Sequence, residues 1–328
     1  MIEVFNGSKI YVVCVPKHTT GGPELLHQFV SKLNMLGYEA YMYYVGENIE
    51  DPVAEQYKKY NVKYVTEIED KERNIIIVPE VLTMILSNYK NIRKVIWWLS
   101  IDNYYFSIEM LKTRLANGKL KAFLGNNLKY FDFNDDNVVN LAQCKYISEH
   151  LKKKGIKKVY YLSDYLNREF LKQNLGNDLK NKENIVAYNP KKGLEFTKKL
   201  IKAGKHIRWV PIKDMNPEEV IQLLKKSKVY IDFGNHPGKD RIPREAAICK
   251  CCVITGRKGS ANYYEDVPID DSFKFQDDES NINVILDRIT QCFDNFEIEM
   301  EKFHKYRDII RRSEMEFEEQ IVDIFKIS

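Results

Sequence analysis

The residues richest in chemical potential lie in one stretch, His236-Pro237-Gly238-Lys239-Asp240-Arg241-Ile242-Pro243-Arg244-Glu245, which runs straight into the apolar segment AAICKCCVITG. Lys239, Asp240, Arg241, Arg244 and Glu245 crowd the mouth of what otherwise reads as a buried helix and strand. A surface loop would tolerate such charges anywhere, but here core flanks them on both sides. Pro243 suits the first turn of a helix, and that reading places Glu245 in the same turn, near the C-terminal edge of a sheet. A Glu there can simply complement the helix dipole. Coupled with Arg241 and the basic loop before it, the carboxylate can instead accept two neighbouring hydroxyls, as on a ribose, while Arg or Lys neutralises phosphates.

Two further stretches fall between a strand and a helix. In AYNPKKGLEF, residues 187–196, Lys191 and Lys192 stand at the entrance of a helix. Lysine there opposes the macrodipole, an arrangement that makes sense when a phosphate sits between them, although two exposed lysines are the plainer account. In VPKHTTGGPE, residues 15–24, Gly21 and Gly22 allow close backbone approach, and the amides of the following helix favour an anion. The spacing is not G-x-G-x-x-G, so a dehydrogenase-type dinucleotide site is poorly supported, and a tight turn with Thr19 or Thr20 assisting the cap is the simple alternative. His18 in this loop can bind acceptor or donor hydroxyls, and Asp102 at a strand end can contact an acceptor hydroxyl or serve as a helix N-cap. Trp97 and Trp98 offer a stacking surface for a sugar, though alternation along a strand points them to opposite faces.

The elements that must position these residues alternate in type. Short apolar runs separated by segments of helical period are the signature of parallel sheets covered by helices. The first half reads as strands near 9–15, 39–45, 74–78, 94–99 and 121–125, with helices near 23–36 and 80–89. The second half repeats the scheme with strands near 184–189, 206–210, 228–233 and 251–255, and helices near 192–203, 216–226 and 242–249. The chain crosses between halves near VYYLSDYL, 159–166, and ends in a charged helical tail from about 280. Phe303, Tyr306, Ile310, Phe317, Ile321 and Ile324 recur in that tail at helical spacing, so it allows one long amphipathic helix.

With 328 residues the chain suits two domains at about 100–200 residues each, and 44% hydrophobic residues suffice for packed cores. A formal charge of only +4 is too small an imbalance to argue for nucleic acid, and no nucleic-acid partner is expected, although local Lys clusters can still meet an anionic partner. The densest basic run, LKKKGIKK at 151–158, reads as the solvated end of a helix, with peripheral contact to a membrane surface as the functional alternative. No apolar stretch approaches the ~20 residues of a membrane span, and the first residues lack a basic flank with a cleavage site, so the expected location is cytoplasmic. The six cysteines read as small, buried, reduced thiols; Cys249 and Cys252 have C-x-x-C spacing but no second Cys or His pair at a zinc-like interval.

The stretch YIDFGNHPGKDRIPREAAICKCCVITG resembles the donor-binding segment of retaining glycosyltransferases of GT-B fold, the glycosyl transferases group 1 of bacterial polysaccharide synthesis. YNPKKG is similar to the upstream basic motif of that family, and the Gly-Gly-Pro-Glu loop at 21–24 to its acceptor-side glycine loop. The resemblance implies an α/β GT-B architecture: two Rossmann-like domains facing across a cleft, an acceptor domain at 1–160, a nucleotide-sugar domain at 161–300 and a C-terminal helix at 301–328 packing on both. It further implies transfer of a sugar from a nucleotide-sugar donor to a glycan or lipid-linked glycan, with retention and with no metal or other cofactor required. Lys191 or Lys192 and Arg241 would bind the diphosphate and Glu245 the ribose, with His18, Gly21 and Gly22 on the acceptor side. One departure matters. The family often carries an earlier Glu with seven residues between it and the ribose-binding Glu, and Pro237 stands there in this chain. His236 or Asp240 would then contact the donor sugar, and these two with Asp102 are the candidate catalytic residues. The same departure makes a non-catalytic GT-B-like nucleotide-sugar or glycan-binding subunit the alternative. An epimerase of this fold ranks last, for want of a paired set of carboxylates.

Overall fold

The computed structural model describes residues 1–46, 50–116, 131, 133–172 and 178–328. The chain forms two compact units, one comprising Met1–Asp164 and Met315–Ser328, the other Tyr165–Glu314. The break falls within the 159–166 crossing, and the tail is shared between the units.

The first unit contains β1 (Ile2–Val4), β2 (Lys9–Cys14), α1 (Gly21–Met35), β3 (Glu39–Tyr44), β4 (Tyr64–Val65), β5 (Ile75–Pro79), β6 (Arg93–Trp98), α2 (Ile101–Ala116), β7 (Val138–Ala142), α3 (Lys145–Lys153) and β8 (Val159–Tyr161). Seven of these strands form one parallel sheet in the order β4-β3-β2-β5-β6-β7-β8. Its central strands are apolar on both faces, as a sheet covered on both sides requires: Val12, Val13, Ile76 and Ile77 have no exposed surface. Leu25, Leu26, Phe29, Val30 and Leu33 bury one stripe of α1 against this core. Trp97 and Trp98 are wholly buried on opposite faces, Trp97 against Phe29 and Phe317 and Trp98 against Tyr104 and Phe133. Their indole N–H groups donate to the Leu162 carbonyl and to Asn140. They are core residues, not a stacking surface for a sugar. The 80–89 segment is a kinked 3-10 helix rather than an α-helix, with its break at Leu82, and the expected strand at 121–125 lies outside the described residues. The lysine-rich run does close α3, with Lys152, Lys153 and Lys154 exposed.

The second unit begins with the short helix α4 (Arg168–Leu171) and continues with β9 (Glu183–Tyr188), α5 (Leu194–Ala203), β10 (Arg208–Pro211), α6 (Pro217–Lys226), β11 (Ser227–Asp232), α7 (Arg241–Ile248), β12 (Cys252–Thr255), α8 (Ile282–Asp294) and α9 (Phe296–Glu301). Its sheet is parallel throughout, in the order β10-β9-β11-β12. Turn chemistry is explicit at α6: Pro217 opens the helix, and Asn216 and Glu219 exchange the two hydrogen bonds of a capping box. All six cysteines are buried free thiols, and Cys249, Cys251 and Cys252 belong to the core behind α7.

The tail from about 280 holds three α-helices, and the last is the long one on which Tyr306, Ile310, Phe317, Ile321 and Ile324 fall. After α8 and α9, α10 (His304–Ile324) starts in the second unit and ends in the first, where β13 (Phe325–Ile327) pairs in parallel with β1. Glu318 binds Lys32 at 2.5 Å within the first unit, next to the Phe317–Phe29 contact. No helix among the described residues is long and apolar enough to cross a membrane.

Candidate functional site

Parallel sheets present ligand-binding loops beyond the carboxyl ends of their strands. In the second unit three such loops meet backbone to backbone. After β9, the chain turns through Asn189–Gly193, with Gly193 in the left-handed region at φ 58° just before α5. A Cβ on Gly193 would lie 2.4 Å from the Phe233 carbonyl carbon, and one on Gly234 would lie 2.3 Å from Lys192 Cβ. The loop after β12 closes in the same way: a Cβ on Gly259, at φ 62°, would lie 2.0 Å from the His236 carbonyl oxygen. Ser260 ties that loop down, donating its amide to His236 and its hydroxyl to the Gly238 carbonyl at 2.6 Å. Only glycine fits such contacts, so the backbone carrying Lys192, His236 and Asp240 is held in place by three glycines.

On this frame a line of ionisable side chains runs outward from the core. Asp232, the last residue of β11, accepts from the Tyr230 hydroxyl at 2.9 Å and from the Gly234 amide at 3.0 Å. His236 Nε2 lies 3.4 Å from Asp232 Oδ1, the oxygen that also accepts the Gly234 amide, and His236 Nδ1 lies 3.5 Å from Asp240 Oδ2. The same Asp240 oxygen receives the Lys192 ammonium at 2.5 Å. His236 is fully buried, Asp232 is 3% exposed, and the Asp240 and Lys192 side chains are 18% and 31% exposed. Burial alone would raise the Asp232 carboxyl, yet His236, the Gly234 amide and Lys192 together hold it below the usual carboxylate range. Tyr230, buried against that carboxylate, is pushed well above the ordinary phenol range.

Asp232, His236 and Asp240 offer one ligand atom each within 4.8 Å of one another, as a metal site would need. The two histidine nitrogens face different carboxylates, however, and an ammonium already lies on the outer one. The arrangement is an alternating chain of side chains, with Lys192 as its cationic end.

Helix α7 begins at Arg241, so Glu245 is its fifth residue and lies in the second turn, not the first as the sequence suggested. The four-residue offset puts Arg241 and Glu245 on one face, Nε to Oε1 3.8 Å, with Glu245 7% exposed. Arg244, buried at 1% exposure, donates to the carbonyls of Asp240 at 3.1 Å and Lys239 at 3.0 Å and clamps the turn into α7. The second unit therefore gathers Lys192, Asp240, Arg241, Glu245 and His236. His236 is corrected from a sugar-contacting residue to a buried support, because no part of its ring reaches the surface. Lys191 is exposed beside Lys192, its amide bonded to Asn189. Sequence reasoning counted Arg244 among the charges at this mouth without giving it the clamp, and it missed Asp232, whose signal was a carboxylate ending the apolar run KVYID.

The remaining candidates belong to the first unit. His18 is exposed, Gly21 opens α1, and a Cβ on Gly22 would meet only Leu99 Cδ1 at an ordinary 3.7 Å. Thr20 occupies the N-cap position without a side-chain cap bond. Asp102 sits in the first turn of α2, and the capping oxygen there is Ser100 Oγ, which accepts from the Asn103 amide at 3.1 Å. Sequence reasoning also missed Glu80, directly after β5, which accepts the Leu99 amide at 2.9 Å. Burial pushes its carboxyl up to about 7, with the amides of Leu99 and Ser100 pulling the other way.

No protein-family model matches the chain, and no curated protein sequence matches it. Solved structures do. The structure of Anabaena Alr3699/HepE in complex with UDP-glucose superposes with a TM-score of 0.61 at 11% identity, covering 96% of this chain and 98% of that one. Sucrose-phosphate synthase from Thermosynechococcus elongatus gives 0.57 at 13% identity, over 97% of this chain and 100% of that one. The N-terminal domain of Candida albicans trehalose-6-phosphate phosphatase gives 0.58 at 11% identity, over 97% and 96%. At such identities the likeness is one of fold. It extends over nearly the whole chain, and the fold is α/β of the GT-B type with C-terminal helices.

Proposed function

We propose that the protein is a glycosyltransferase that moves a sugar from a nucleotide-sugar donor to a glycan or lipid-linked glycan, with retention, in the synthesis of a bacterial surface polysaccharide. The observation that carries this reading is that Lys192 lies on Asp240, the N-cap residue directly before the Arg241–Glu245 pair at the start of α7. Lys192 and Arg241 bind the diphosphate, with the exposed Lys191 adding charge nearby. Glu245, a carboxylate 7% exposed one turn into the helix, binds the ribose hydroxyls. In retention the incoming hydroxyl arrives on the face the diphosphate leaves, so the leaving phosphate itself takes the proton and no protein base is obligatory. The cationic side chains stabilise the charge that develops on the departing diphosphate, and the proposal calls for no metal or cofactor. Asp102, His18 and the Gly21–Gly22 turn belong to the acceptor side. UDP and UDP-glucose in the fold neighbour make UDP-sugars the first donors to try.

Pro237 favours a second reading, a subunit that binds nucleotide sugar without turnover, because a side chain that cannot hydrogen-bond stands where the resembled family often carries a Glu. A mass-spectrometric screen for breakdown of nucleotide sugars separates the two. Sustained release of nucleoside diphosphate supports the enzyme; tight binding with intact donor supports the binding subunit; neither binding nor breakdown with any donor sinks both.

A further inference from the structure

We propose that Asp240 is a resident counter-anion, occupying Lys192 until a donor diphosphate displaces it, and thereby setting the site's affinity for nucleotide. This rests on the donor-site reading above and deepens it. Asp240 stands at the N-cap position of α7 with extended backbone, φ −62° and ψ 142°, where an aspartate ordinarily accepts the amides of the first turn. Its side chain makes no such cap bond. Oδ2 instead reaches the Lys192 ammonium at 2.5 Å, with His236 Nδ1 3.5 Å away.

The pairing is built into the backbone. Gly193 and Gly234 press the Lys192 turn onto the Phe233–Gly234 turn, Gly259 presses on His236, and Arg244 holds the carbonyls of Lys239 and Asp240. Neither partner is a floppy surface chain that meets the other by chance. His236, with neither ring nitrogen in a hydrogen bond, backs the Asp240 carboxylate from beneath, between it and Asp232. An anion with more charge than one carboxylate, and with reach to Arg241 as well, wins Lys192 from Asp240 by coulombic attraction. When the nucleoside diphosphate leaves, the carboxylate returns and neutralises the lysine. The cost to affinity is the strength of the internal pair, and the gain is that the product is not held by an uncompensated cation.

Neutralising Asp240 therefore tightens nucleotide binding. Isothermal titration of the full chain with UDP is expected to give a Kd roughly tenfold lower for Asp240→Asn than for the unaltered protein. In the Lys192→Met background, Asp240→Asn should change the Kd by less than about twofold, since the cation it competes for is gone. Asp240→Ser serves if Asp240→Asn fails to fold, with the same two expectations. Unaltered protein that binds UDP while both Asp240 variants bind it equally or more weakly overturns this inference and leaves the donor-site reading standing. Unaltered protein that binds no nucleoside diphosphate, with ADP and GDP tested beside UDP, overturns the donor-site reading and the inference with it.

Discussion

Two buried carboxylates follow core strands of the two parallel sheets, and their surroundings treat them oppositely. Glu80, after β5, is 3% exposed and has backbone amides but no cation among the causes that set its ionisation; its carboxyl rises to about 7. Asp232, ending β11, is equally buried, but His236 and Lys192 hold it below the usual range. The difference teaches where the molecule has organised charge. In the first unit burial is met by a raised carboxyl and backbone amides alone. In the second, burial is offset by an alternating line of side chains, Asp232, His236, Asp240 and Lys192, that ends on a partly exposed lysine.

The glycines divide the same way. The Gly21–Gly22 pair stands out in the sequence, yet a Cβ on Gly22 meets nothing closer than 3.7 Å. The glycines that the backbone demands are Gly193, Gly234 and Gly259. Gly259→Ala should therefore break the frame, costing about 3 kcal/mol or more through overpacking at a left-handed position. Gly22→Ala should stay within about 0.5 kcal/mol of the unaltered protein. Urea denaturation measures both, and equal costs would erase the contrast.

The carboxylates offer the next test. Because the folded-state value of Glu80 is raised, the folded protein binds more protons than the unfolded chain between about pH 4.5 and 7, and stability from this group declines as pH rises through that window. The full effect is about 3 kcal/mol. Asp232, shifted the other way, contributes stability that is lost only as pH falls below its ordinary value. Glu80→Gln should flatten the fall in melting temperature between pH 5 and 8; an unchanged slope would show that Glu80 does not carry it.

Smaller effects are expected in binding. Glu245→Ala should weaken nucleotide affinity by about 1–3 kcal/mol through lost ribose contacts, as measured by calorimetry, while a 2′-deoxynucleotide should show a smaller difference between the two proteins. His18→Ala, exposed in the first unit, should change UDP affinity by no more than about 0.5 kcal/mol. A large loss there would move the nucleotide away from the second unit.

Much of this was legible in the sequence. Alternating apolar runs and helical periods gave most strands of both sheets to within a residue or two, because parallel strands buried on both faces read as short apolar blocks: KIYVVC, NIIIV and KVYID each became one. The places of Lys192 and Arg241 after strands pointed to loops that the structure joins through Asp240, which holds Lys192 and directly precedes Arg241. What sequence could not show was contact between loops distant along the chain. His236 looked like a ligand because a histidine in a polar loop offers no hint of burial, and the backbone contacts of Gly259 and Ser260 with its carbonyl join stretches the sequence does not show to be neighbours. The start of α7 was misjudged because Pro243 fits any position of a first turn, so it could not fix Glu245 relative to the helix end. The tail's apolar spacing from Phe303 to Ile324 became α10, while the breaks after Asp294 and Glu301 that set off α8 and α9 lie ahead of that pattern.

The most direct test of a diphosphate grip by cations from separate loops is calorimetric titration of UDP into the unaltered protein, Lys192→Met and Arg241→Met, with folding checked for each. The predicted result is micromolar to millimolar binding that weakens about tenfold or more in either variant. Binding of the same strength in all three folded proteins would contradict it.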